Sequence, residues 1–274
     1  MKLGLINSAF AQAGKGTEFG ILETQRIGFD TVDIFADPLD IDAAERKLIK
    51  GTADKCGLPI MSICCVAVGL VDFNPSVQRF SVDRVKKYLD LCKEFEAENL
   101  LLVIGEYIWE QQVIPPPEQW KTAVQNTREV GKHARSLGLE IAIELEPFKL
   151  SLVNSVDTML RFLDDVDLPE TVRANCDISH LHLVRAPFED VQRLKGRIAH
   201  VHLSDCDGKV HGDLPPGRGI TPIKEYLEQI QKTGFDRTVS IELEYAPHPD
   251  RIVEWVEKAY AKTDEIMRAL GCRS

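Results

Sequence analysis

No run in this 274-residue chain approaches the ~20 consecutive apolar residues of a membrane-spanning helix, so no membrane partner is expected. No CxxC pair occurs either, which leaves a structural zinc site without its usual ligands. The seven cysteines are odd in number, with Cys64 and Cys65 adjacent and the others inside apolar patterns. That usage points to reduced thiols in a cytoplasmic protein. Positive charge is scarce: 33 Lys and Arg stand against 43 Asp and Glu, a net charge of −10 that opposes nucleic-acid partners. A small neutral substrate and a divalent cation both remain compatible with it. No GxGxxG follows the first apolar segment, so the dinucleotide-binding fingerprint is missing. The N-terminal Met1–Asn7, with Ala9-Phe10-Ala11 behind it, imitates a signal peptide and its cleavage site. Asn7, however, stops the apolar run short of the ~7–15 residues required, and the segment reads as a core strand.

What the chain does contain is one unit repeated: a short apolar strand, a polar loop, an amphipathic helix. Strands are expected at 2–7, 31–35, 60–66, 100–104, 140–146, 173–177, 198–203 and 238–242. Helices are expected near 17–27, 41–56, 79–97, 117–137, 154–165, 187–196, 222–233 and 249–270. Gly28, Gly57, Gly138 and Gly234 fall just past helix ends. Eight such repeats in this length predict an α/β fold, a (β/α)8 TIM barrel occupying 1–274 as a single domain, with a doubly wound sheet as the competing layout. A barrel places its chemistry at the C-terminal ends of strands.

Four successive strand ends carry metal-capable side chains: Glu144 and Glu146, then Asp177, then His200 and His202, then Glu242 and Glu244. Glu146 to Asp177 is 31 residues, on to His202 is 25, and on to Glu242 is 40, each about one βα unit. A lone carboxylate at a strand end is usually a helix cap or a solvated loop residue. Four in a row inside apolar strands, where unpaired charge costs several kcal/mol, favour a common ligand. Two Glu, one Asp and one His form a mostly oxygen site suited to Mn²⁺, with Mg²⁺ or Co²⁺ as alternatives.

These segments, in order, resemble the xylose-isomerase-like TIM-barrel superfamily of sugar and inositol isomerases and epimerases, which includes D-tagatose 3-epimerase-like enzymes and inosose isomerases. The carriers are Glu146-Pro147, Leu152-Val153-Asn154-Ser155, Cys176-Asp177-Ile178-Ser179-His180, His200-Val201-His202-Leu203-Ser204-Asp205, Pro215-Pro216-Gly217-Arg218-Gly219 and Ser240-Ile241-Glu242-Leu243. The resemblance implies Glu146, Asp177, His202 and Glu242 as metal ligands, with Glu146 and Glu242 doubling as the catalytic acid/base pair. It implies His180 as a substrate contact, and suggests a homo-oligomer built through outer helices. Glu144 and Glu244 share a face with the preferred glutamates, so the register stays open between the members of each pair.

The implied reaction is proton abstraction next to the carbonyl of a keto-sugar or inosose, through an enediolate. A lyase on the same site is the alternative, dehydrating an inosose or eliminating from a 3-oxo-glycoside. An endonuclease IV-like phosphodiesterase is remote, for want of histidines and of basic surface. Free-ketose 3-epimerases carry Asn-Arg-Phe-Glu after their first metal glutamate, where this chain has Phe148-Lys149-Leu150-Ser151. Their arginine beyond the metal histidine is replaced by Gly208. A substrate other than free fructose or tagatose is therefore expected. Lys149 and Arg218 are the basic residues nearest the mouth, with exposed loop charge as the alternative reading. Trp109, after the fourth strand, offers a face for a sugar ring, and Asp205 is a loop residue near the substrate.

Overall fold

A computed structural model describes residues 1–105 and 111–273 of the chain. Eight parallel strands close into a barrel in sequence order: β1 (Lys2–Ile6), β2 (Thr31–Ile34), β3 (Ile60–Val66), β4 (Asn99–Val103), β5 (Glu140–Ile143), β6 (Val172–Asp177), β7 (Ile198–Leu203) and β8 (Thr238–Ile241). The expected (β/α)8 architecture is the one that forms. Around it lie α1 (Ser8–Gln12), α2 (Thr17–Ile27), α3 (Ala43–Cys56), α4 (Pro75–Phe95), α5 (Pro116–Leu137), α6 (Val156–Val166), α7 (Ile178–Leu183), α8 (Ile223–Lys232) and α9 (Ile252–Ala269). Among the described residues no helix is long and apolar enough to cross a membrane.

Local chemistry sets most boundaries. Asn74 caps α4 by accepting from Ser76 N, and Pro75 follows at the first helical position, so this helix starts four residues before the expected 79. Ser155 and Thr158 form a reciprocal capping box at the start of α6. Gly57 and Gly138 end α3 and α5 in the left-handed conformation, as their positions in the sequence suggested. Three segments depart from expectation. Residues 187–196 form a short 3-10 helix, Phe188–Leu194; α1 follows β1 directly and α7 follows β6 directly, both where no helix was expected. Asp177 is the reason for α7: its Oδ1 accepts from His180 N at 2.8 Å and from Ser179 Oγ at 2.9 Å, capping a helix that starts as the strand stops.

Alternation along the strands divides the apolar residues between two cores. Most pack between barrel and helices, while Ile6, Cys64, Leu101, Ala142 and Ala199 fill the barrel interior. At the N-terminal rim of the barrel Glu140 joins Arg173 and Arg237, tying β5 to β6 and to the start of β8. All seven cysteines are free and six are buried.

Candidate metal centre at the barrel mouth

Ala142 points into the barrel, so two residues on Glu144 points inward as well, one position past the end of β5. Its backbone N still donates to Leu102 O at 3.1 Å, as a strand residue would. Asp177 ends β6 directly beside His202 of β7 in the parallel register, and Glu242 follows β8 with its N–H on Leu203 O at 3.0 Å. Asp177, His202 and Glu242 each offer a ligand atom within 4.8 Å of the others, and Glu144 forms such a group with Asp177 and His180. His202 Nδ1 lies 3.3 Å from Glu242 Oε2 and 3.5 Å from Glu144 Oε2, near enough for attraction but without hydrogen-bond alignment.

Four buried atoms here have no hydrogen-bond partner: Glu144 Oε1, Asp177 Oδ2, and both ring nitrogens of His202. Glu144 Oε2, by contrast, is fixed by Asn175 Nδ2 at 2.7 Å. Beneath them His200 Nε2 binds Asp33 Oδ2 at 2.8 Å and Ser240 Oγ at 3.2 Å, a buried layer that supports the ring of His202 above it. Burial disfavours charge on His202, but Glu242, followed by Glu144 and Asp177, outweighs it and holds the imidazole's pKa up at about 10. Such a cage attracts a cation in place of the proton.

Glu146 is placed differently from the sequence expectation. β5 ends at Ile143, and by Glu146 the chain has turned, its N–H donating to Val153 O at 2.9 Å. Glu146 therefore rises out of the ligand cluster into the cavity wall, and Glu144 takes the inner position. Burial, followed by the charges of Glu144, Glu242 and Asp177, raises the Glu146 carboxyl to about 8 against the opposing pull of His180. At neutral pH it is mainly protonated and can donate a hydrogen bond.

A cavity of about 270 Å³ opens above the cluster, walled by Glu144, Glu146, Glu242, Glu244, His180, His211 and the rings of Phe35, Phe148 and Tyr245. His180 lies in it as expected, but both its ring nitrogens are engaged: Nδ1 on Leu145 O at 2.6 Å and Nε2 on His211 Nε2 at 2.7 Å. Burial opposes its charge, and Asp177 with Glu144 and Glu146 overcomes that, which raises its pKa and favours the protonated ring that donates at both ends. His211 stays neutral, lowered by burial and by His180, and accepts. Behind it, Asp213 takes the hydroxyl of Ser204 at 2.8 Å.

Three other expected contacts fall elsewhere. Asp205 turns away from the cavity: Oδ1 accepts from Cys206 N and Thr221 N, each at 2.9 Å, and Oδ2 from Gly217 N at 2.9 Å and Gly219 N at 2.8 Å. One carboxylate thus staples the whole loop from β7 to α8, because four backbone donors there have no strand or helix to satisfy them. Gly219 fits this wrap closely; a Cβ would stand 2.4 Å from Asp205 Oδ1. Asp205→Ala is expected to destabilise the protein by about 3 kcal/mol, read as a lower urea midpoint, since buried N–H groups lose their acceptor. An unchanged midpoint would refute the staple. Lys149 and Arg218 are exposed and do not wall the cavity, because their loops carry them outward past the rim. Trp109 lies outside the described residues.

Sequence reasoning missed Gln12, Phe148, Asn175 and Asp33, the partner of His200. Among these only Asn175 had a usable signal, its parity with Asp177 on one strand.

A family model described as xylose isomerase-like TIM barrel matches residues 21–266. The chain is 24% identical over 237 residues to fructoselysine 3-epimerase of Escherichia coli O157:H7, covering 82% of this chain and 85% of that one. It is 26% identical over 262 residues to D-psicose 3-epimerase of Ruminiclostridium cellulolyticum, covering 88% and 83%. Among solved structures, the IolI protein with a bound zinc atom superposes with a TM-score of 0.84 at 18% identity, covering 98% and 99% of the two chains.

Proposed function

The chain belongs to the xylose isomerase-like TIM barrel family, and from that premise we propose that it is a divalent-cation-dependent epimerase or isomerase acting on a keto-sugar or inosose. The sugar epimerases among its relatives support the reaction class. One observation carries the metal: Glu144, Asp177 and His202, from the ends of β5 to β7, bring together buried ligand atoms that no hydrogen bond satisfies, and Glu242 from β8 groups with Asp177 and His202. Buried polar atoms without partners cost about 1–3 kcal/mol each, and one cation would take up the two carboxylate oxygens and one of the His202 nitrogens together. The predominance of oxygen ligands favours manganese, while IolI, with its zinc, supports a divalent ion in this fold. Seven free thiols suit a reducing cytoplasm.

When bound, the cation supplies Lewis-acid polarisation of a carbonyl and its neighbouring hydroxyl. The protein's own groups do the rest. Glu242 reaches the cavity from β8 and acts as the base that takes the proton next to the carbonyl; Glu144, three strands round the barrel, is its counterpart for return of a proton. The Glu146 carboxyl, raised first of all by burial, is placed in the cavity wall to donate a hydrogen bond to substrate oxygen as negative charge develops there. Phe35, Phe148 and Tyr245 line the approach with apolar surface, which limits water near the reacting carbon. No lysine or arginine lines the cavity among the described residues, so an uncharged polyol ketone suits it and a phosphorylated one does not.

The test is solvent deuterium incorporation over a panel of ketoses, inososes and 3-oxo-glycosides, with Mn²⁺ and after chelation. Exchange next to the carbonyl of at least one compound, lost on chelation, is expected. A loaded protein that exchanges none of them is not an enzyme of this class. Product analysis separates epimer, isomer and elimination product.

A further inference from the structure

A second cavity, of about 340 Å³, adjoins the first, and Gln12, Glu244 and Tyr245 wall both. The remainder of its wall is small and apolar: Ala9, Ala13, Leu243, Ala246 and Pro249. It lies where α1 meets the loop after β8, two segments brought together because β1 and β8 pair to close the barrel. Gln12 holds the junction with both ends of its amide. Nε2 donates to Glu244 Oε1 at 2.9 Å, and Oε1 accepts from Tyr245 N at 2.9 Å.

The junction residue Tyr245 is itself unusual. It has a positive φ of 49° and the residue is 72% exposed. A non-glycine residue in this conformation is held there by its surroundings, here by the Gln12 amide. The consequence is an aromatic ring standing in solvent at the boundary of the two cavities, where a ligand spanning both would cover it.

We propose that this groove is a subsite for the substituent of an extended substrate: a hydrocarbon or aromatic group carried by the keto-sugar whose reacting carbon lies over the proposed cation site. The inference rests on the functional reading above for the sugar end only. The alanines leave room for a chain or ring without offering polar partners, so apolar contact carries the affinity. No cationic side chain walls the groove among its described residues and Glu244 stands at its entrance, so an anionic substituent is refused while a neutral or cationic one is accepted.

The test compares matched ligands by titration calorimetry on the Mn²⁺-loaded protein: D-fructose against 1-deoxy-1-(benzylamino)-D-fructose, and methyl against phenyl 3-oxo-glucopyranoside. The larger member of at least one pair should bind about fivefold or more tighter, and Ala13→Phe or Ala246→Phe, which fill the groove, should cut that ratio by at least about threefold. A smaller ratio in both pairs overturns the subsite, as does a ratio that survives in both variants. Deuterium exchange in the same samples keeps the two readings apart. If no ligand exchanges, proton abstraction is wrong, and the affinity ratio still decides the groove.

Discussion

Glu144→Gln is expected to weaken Mn²⁺ binding by at least about a hundredfold and to lower the exchange rate by about a thousandfold, whereas Glu146→Gln leaves cation affinity within about threefold. The two residues share parity and are separated by one leucine, so the contrast isolates position from residue type. Glu144 keeps strand geometry, is oriented by Asn175 Nδ2, forms a group with Asp177 and His180, and has its Oε1 without a hydrogen bond, 3.5 Å from His180 Nδ1. The amide in its place removes a full negative charge from the cage and presents an N–H toward the site. Glu146 has left the cluster with the turn after β5, and its carboxyl is neutral near pH 7, so the cation loses little with it. Its loss is instead expected in turnover, about a hundredfold in kcat/KM, the magnitude of a positioned proton donor. Calorimetry with Mn²⁺ and deuterium exchange on the two variants decide the matter. The opposite pattern would restore Glu146 as ligand and exclude Glu144.

The second large effect is on stability. Saturating Mn²⁺, at about a thousand times its Kd, is expected to stabilise the fold by about 4 kcal/mol over the chelated protein. For a chain of this size that corresponds to a rise of about 8 °C in Tm. The proposed site is one that only the folded barrel assembles, because its four side chains come from the ends of four strands. Asp177→Asn provides the control. The amide oxygen can still accept from His180 N and Ser179 Oγ, so the cap on α7 survives. The partnerless Oδ2 and the negative charge are lost. Differential scanning calorimetry of this variant should therefore show a folded protein whose Tm no longer responds to Mn²⁺. A variant that retains the full cation-dependent shift would remove Asp177 from the site.

The Asp205 staple bears on both experiments. It holds the loop that carries His211 and Asp213 against the cavity, and His211 in turn engages the outer nitrogen of His180. Loosening that loop would free His180 without touching a ligand. Changes at Asp205 are for this reason a test of the loop and not of substrate contact.

The sequence was sufficient for the barrel. Strands β3 and β7 match the expected residues, and the other six agree within three residues at either end. The reason is physical: each strand is buried on both faces and bounded by helices with their own caps, so period, glycine and capping side chains mark it locally. The same periodicity put Asp177, His202 and Glu242, the proposed ligands, on one face at the mouth, since each sits at or next to the last strand residue.

What the sequence left open was decided by where strands stop and loops turn. Glu144 and Glu146 are equivalent to any pattern of period two; they become unlike only because β5 yields to a turn paired with Val153, a contact seven residues away that no local signal marks. Asp205 reads as a polar residue beside a metal histidine, and its role is settled by four N–H groups up to 16 residues distant. The groove beside Tyr245 joins residues 232 and 233 positions apart, across the seam where the last strand meets the first. Local composition determines which elements form and which way their side chains alternate. The hydrogen bonds left over when the elements pack determine which carboxylate reaches the cation site, and those bonds exist only in the closed barrel.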